Sequence, residues 1–157
     1  MAYLPVLWDH ARSEILSEGD QDGCIGRVWI GYDSIFPVDY HLLVEMHPTN
    51  QGMEFVFALL KGDRMTQTSE AIFDSAVANQ IIPRWHRPRI RELLDSMTEK
   101  VVRNCDRNAF FMAAYCAQLP EPALAKYAML CEAFRRCGYD CLRSEPSPGK
   151  LLWQMNR

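Results

Sequence analysis

GRVWIGYDSIFPVDYHLLVEMHPTNQGMEFVFALL, residues 26–60, is the stretch that decides the fold. It breaks into three runs rich in β-branched and aromatic residues: Gly26–Asp33, Val38–Met46 and Met53–Leu60. In the second run Val38, Tyr40, Leu42, Val44 and Met46 point one way and Asp39, His41 and Glu45 the other, with Leu43 the exception. That period of two is the mark of a half-buried strand. The separators, DSIFP and HPTNQG, are proline-bearing turn segments. Connections so short require adjacent strands to pair antiparallel, which predicts a three-stranded meander. The third run is apolar on both faces, Phe55, Phe57 and Leu59 against Val56, Ala58 and Leu60, and so predicts cover on both sides.

Upstream, Leu4, Leu7, Trp8, Ala11 and Ile15 share one stripe, which predicts a helix over residues 4–16 with Pro5 in its first turn. The acidic, glycine-bearing Ser17–Gly23 reads as a loop. Downstream, the polar Lys61–Thr68 links the sheet to a helix over Ser69–Ile82 that Pro83 ends. Pro88 opens the most regular helix, with Ile90, Leu93, Leu94, Met97 and Val101 on one face. A further helix is expected over about Asp106–Ala117, broken by QLPEP, and a last one over Pro122–Cys137. Gly138 stands where a helix-ending left-handed residue is wanted. YDCLRSEPSPGKLLWQM then reads as a hairpin. The expected architecture is a single α+β domain over residues 1–157: an N-terminal helix, the three-stranded antiparallel meander, three to four helices and a C-terminal hairpin.

The chain has 157 residues, the usual size of one domain, and its 48% hydrophobic and 24% charged content is that of an ordinary globular protein. No stretch approaches the ~20 apolar residues that span a bilayer, and the N-terminus lacks a basic n-region. A soluble cytoplasmic protein without a membrane partner is therefore expected, its six cysteines reduced. The net charge of −3 hides an asymmetry: residues 1–60 hold nine acids and two bases, the remainder fifteen bases and eleven acids. Such polarity bears on partners and association rates, not on the fold.

Reaction motifs are weak. Cys137 and Cys141 lack the second pair that a structural zinc site needs, and His10, His41, His47 and His86 are scattered. DQDG at residues 20–23 resembles part of a calcium loop, but Gly31 stands where the bidentate glutamate belongs. No G-x-S-x-G elbow, G-x-G-x-x-G loop or Walker sequence occurs. The H-x-T at His47–Thr49 has no second copy. His41, between Asp39 and Glu45 on one strand face, and Cys116 are the only candidates for an enzyme of unrecognised type. No catalytic residue, cofactor or metal is assigned.

Two contact surfaces stand out instead. Arg84, Trp85, His86, Arg87, Arg89 and Arg91 form a basic cluster around an aromatic ring, chemistry that suits an acidic protein interface or phosphates and stacked bases. Asp33, Asp39, His41, Glu45 and Glu54 form an acidic counterpart in the meander. The C-terminal order of helix, turn, helix and hairpin is that of a winged helix-turn-helix, with Arg135, Arg136, Arg143 and Lys150 as its nucleic-acid contacts. The outer face of the final helix, with Ala125, Lys126, Met129, Glu132, Ala133 and Arg136, is thin in donors for a reader of bases. The expected function is thus a non-catalytic protein-binding module, such as a small inhibitor, adaptor or chaperone. A nucleic-acid-binding regulator is the alternative. An uncovered sheet edge would also allow a homodimer.

Overall fold

The computed structural model describes residues 2–6, 13–18, 23–116 and 118–157, with residues 13–18 as backbone alone. The meander forms where the alternation placed it, as β3 (Gly23–Asp33), β4 (Val38–Thr49) and β5 (Gly52–Asp63). Val44 lies opposite Gly26 on one side and Phe57 on the other, in antiparallel register throughout. A bulge between Trp29 and Gly31 shifts the β3–β4 pairing by one residue. The remaining elements are β1 (Tyr3–Pro5), β2 (Ser13–Glu18), β6 (Thr68–Ile72), α1 (Ser75–Ile81), α2 (Arg87–Asn104), β7 (Ala109–Tyr115), α3 (Glu121–Arg136), β8 (Asp140–Ser147) and β9 (Lys150–Asn156).

The sheet is far larger than a three-stranded meander with a separate hairpin. Among the described residues its nine strands run in the order β1-β3-β4-β5-β7-β9-β8, with β2 also on β3 and β6 also on β5. The two outer meander strands are long enough to serve two partners each. β2 pairs with Gly23–Val28 and β1 with Gly31–Asp33. Along β5, β6 takes Leu59–Asp63, and β7 meets it in parallel at Glu54. The hairpin β8–β9 then joins through β9, which pairs antiparallel with β7. The sheet is therefore mixed, mostly antiparallel, within an α+β fold.

Three of the expected helices are corrected. The N-terminal helix is absent among the described residues: Tyr3–Pro5 and Ser13–Glu18 are strands, and residues 7–12 lie outside the described residues. Pro5 fits an edge strand, where no ladder hydrogen bond is asked of its nitrogen. The helix expected over Ser69–Ile82 begins only at Ser75, because Thr68–Ile72 extends the free edge of β5 and Asp74 caps the new helix through a 2.7 Å bond from the Ala76 amide. The segment expected as a helix over Asp106–Ala117 is β7. Its Phe110, Met112 and Ala114 alternate inward, and pairing on both edges overrides the helix preference of its alanines.

The three helices among the described residues lie on one face of the sheet. Leu94, Met97, Val101 and Val102 of α2 and Leu130, Ala133 and Phe134 of α3 meet Val28, Ile30, Tyr40, Val44, Phe55, Met112 and Met155 of the sheet. Across this interface Tyr127 stacks on Trp153 with centroids 4.2 Å apart. α3 ends as expected: Gly138 takes φ +90, its amide bonds Arg135, and the Tyr139 amide bonds Phe134. The opposite sheet face, which carries Val56, Ala58 and Leu60 of β5, has no helix on it among the described residues, although Ala58 there is buried. The β8 edge bears Arg143, Glu145 and Pro146, residues that discourage a further strand from adding. No helix among the described residues is long and apolar enough to cross a membrane.

Candidate functional site

The corner between α1 and α2 carries the basic cluster around Trp85. Pro83 stops α1, and Arg84–His86 form a single tight turn closed by the His86 amide on the Pro83 carbonyl at 3.0 Å. Arg87 locks the far side. Its guanidinium donates to the carbonyls of Ile82 at 3.0 Å and Asn79 at 2.6 Å, satisfying the C-terminal end of α1. The His86 ring packs on Tyr3 of β1 with centroids 5.7 Å apart. Between these anchors Trp85 is held outward, 76% exposed. Arg84 and Arg91 are also exposed, and Arg89 pairs with Glu92 at 2.8 Å. Val77 of α1 and Phe73 just ahead of that helix add further exposed apolar surface.

Beneath this corner lies a cavity of about 300 Å³ between the three helices and the sheet. Ile30, Leu42 and Leu59 form its floor, and α1, α2 and the first turn of α3 form its walls. Its charged lining residues are Arg87, Arg91 and Lys126, with no carboxylate among them.

The other basic residues have internal work. Arg136 clamps α3 to α2, gripping both carboxylate oxygens of Asp95 at 2.8 Å and also bonding Glu99. Those carboxylates hold its guanidinium charged. Arg135 bonds Glu132 and the Cys141 carbonyl. Arg143 lies over the Trp153 ring within the hairpin, and Lys150 over Tyr115 of the neighbouring β7. Because the segment before α3 is a strand and the hairpin belongs to the main sheet, the winged helix-turn-helix order is not formed.

The acidic residues divide. Asp39, Glu45 and Glu54 stand on the helix-free sheet face with His41. Asp39 lies 3.7 Å from Arg64. Glu45 and Glu54 lie 3.8 Å and 3.4 Å from His47, a second histidine on this face that the sequence reading did not pair with them. Direct cross-strand pairing of His47 with Glu54 is visible only once the register is known. Among the described residues no group of three such side chains could hold a metal ion. Asp33 is buried, and its Oδ1 accepts the amides of Ile35 at 2.8 Å and Phe36 at 3.1 Å. It therefore shapes the β3–β4 turn and is not a contact residue.

Burial alone would raise the Asp33 pKa, but the amide bonds outweigh it and the net direction is down. A carboxyl held below its unfolded value adds stability above that value and loses it as pH falls through the folded one. Asp33→Asn should cost about 1–2 kcal/mol at pH 7. The gap from wild type should close below about pH 4, where the unfolded carboxyl begins to protonate. Urea titrations at the two pH values check this.

Cys116 and His41, the two candidates from the sequence, do not share a strand. Cys116 follows β7 and donates to the Gln118 carbonyl at 3.2 Å, while His41 is on β4, with β5 between those two strands. Burial pushes the Cys24 and Cys137 thiols up, away from the reactive thiolate. Cys131 and Cys141 are joined, with Cα atoms 5.8 Å apart, so not all six cysteines are free. The turn at Gly138 brings the end of α3 back against β8 and places the two together. The chain matches no protein-family model, no curated protein and no solved structure.

Proposed function

We propose that the protein is a non-catalytic binding module that grips an acidic protein partner through the α1–α2 corner. The observation that carries this reading is Trp85, 76% exposed on a turn fixed at both ends and flanked by arginines. A large ring left in water usually costs a protein solubility. Held rigidly it loses little entropy on binding, and tryptophan and arginine are the residues that dominate interface energetics. Arg84 supplies charge for a partner's carboxylates, and Phe73 and Val77 widen the apolar ground.

The test is affinity capture from the native cell over a salt series, with wild-type, Trp85→Ala and Arg84→Glu baits of equal stability. An acidic protein should be retained by wild type, and its affinity should fall by roughly 30-fold for Trp85→Ala, the ~2 kcal/mol of a central anchor. Equal capture by all three baits would overturn the reading. A nucleic-acid partner is the second reading, favoured by the same stacking of arginine and tryptophan. It predicts an electrophoretic shift of random-sequence strands that weakens steeply with salt and requires Trp85.

A further inference from the structure

The cavity under the α1–α2 corner combines two features that a folding core has no use for together. Its lining is apolar, apart from Ser75, Asn79 and the three cations. Those cations have no carboxylate to answer them in the lining. Arg87 is engaged by backbone carbonyls, which accept its hydrogens but do not neutralise it. Neither Arg91 nor Lys126 makes an ion pair with a described residue. The Lys126 ammonium instead lies 4.7 Å from the centre of the Phe57 ring. Burial, and then the neighbouring Arg91 charge, push its pKa down. A lysine and an arginine that repel each other at the wall of an apolar cavity are destabilising for the empty protein. An anion placed between them would reverse the sign of that interaction.

Shape and size narrow the ligand. At about 300 Å³ the cavity is at the small end of ligand pockets. It would hold about ten water-sized groups at ~30 Å³ each. Ile30, Leu42 and Leu59 of the floor and Leu94 of α2 offer no donor or acceptor side chain, so the inner part suits hydrocarbon alone. The first turn of α3 borders the same space through Pro122 and Ala123, while its Glu121 is exposed and is not among the lining residues. We propose that this cavity binds a single-chain amphipathic anion, an alkyl chain of about eight to ten carbons ending in a carboxylate or phosphate that Lys126 and Arg91 receive. The site goes beyond the protein-binding reading and does not depend on Trp85.

Calorimetric titration of the full chain with decanoate, decyl phosphate and decanol tests the proposal. At least one of the two anions should bind at least 10-fold more tightly than decanol, and comparison of the two anions identifies the headgroup. The double variant Lys126→Met, Arg91→Gln should bring the preferred anion down to the affinity of decanol. Ala123→Phe, which fills the cavity from α3, should weaken all three ligands, with near-ultraviolet circular dichroism verifying that it folds. Equal binding of anion and alcohol to wild type, no binding of either anion, or an anion preference that survives the double variant would each overturn it.

Discussion

Replacing Phe134 with alanine is expected to lower folding stability by about 3–5 kcal/mol, the range for deleting a fully buried aromatic ring. Phe134 has no exposed surface and lies where the three parts of the core converge. Its ring meets Phe55 of β5 edge-on at 5.3 Å, Phe110 of β7 at 5.6 Å and Tyr139 at 5.9 Å. β5 and β7 are the strands whose parallel pairing joins the meander to the C-terminal half, and that pairing registers at the single position Glu54–Phe111. The joint is thin in backbone hydrogen bonds, so side chains on the helix face must hold it. Removing Phe134 leaves a cavity over this thin seam of the sheet. Chemical denaturation should show a midpoint shift of that size. Loss of a single cooperative transition would show further that the two halves can then unfold separately. Phe134→Leu, which keeps most of the volume, should recover a large part of the loss.

The legible part of this fold is the part set by local pattern. Alternation from Val38 to Met46 fixed which side of β4 is buried, and those five residues are the buried ones. The spacing of Leu94, Met97 and Val101 fixed the inner face of α2, and Gly138 fixed the end of α3. What escaped were short segments whose state depends on a partner. AFFMAAY offers both an alternating pattern and good helix formers, and only the open edges of β5 and β9 decide between them. Tyr3–Pro5 is too short to carry any period and is a strand because β3 presents Gly31–Asp33 to it. The site follows the same rule. Its arginines and Trp85 lie within residues 84–91 and could be seen there. Lys126 belongs to the cavity through tertiary packing alone, forty residues away, and was visible only as part of a thin outer face on α3.

That dependence on a short strand gives the second large effect. Gly31→Val should destabilise the protein by about 3 kcal/mol, the upper end for forcing extra atoms into a packed site. A Cβ at this position would lie 2.6 Å from the Leu4 carbonyl oxygen and 2.5 Å from the Tyr3 ring. The first obstacle is backbone, so β1 as a whole must move away. Its departure would break the 2.7 Å bond from the Tyr3 hydroxyl to the Ile30 carbonyl and pull on the 3.3 Å bond that the Val6 amide gives the same carbonyl. It would also strip the ring that packs on both Tyr40 and His86. His86 is one anchor of the turn that holds Trp85 outward, so the variant should loosen the proposed binding corner as well as the fold. Tyr3→Phe separates the two consequences. It deletes the hydroxyl bond yet keeps the ring against His86, and should cost only about 1 kcal/mol. The measurement is thermal unfolding of both variants, with amide exchange at Arg84–Arg87 read alongside. Exchange should quicken at that turn in Gly31→Val and stay near wild type in Tyr3→Phe. Equal protection of the turn in Gly31→Val and wild type would show that β1 does not support the corner.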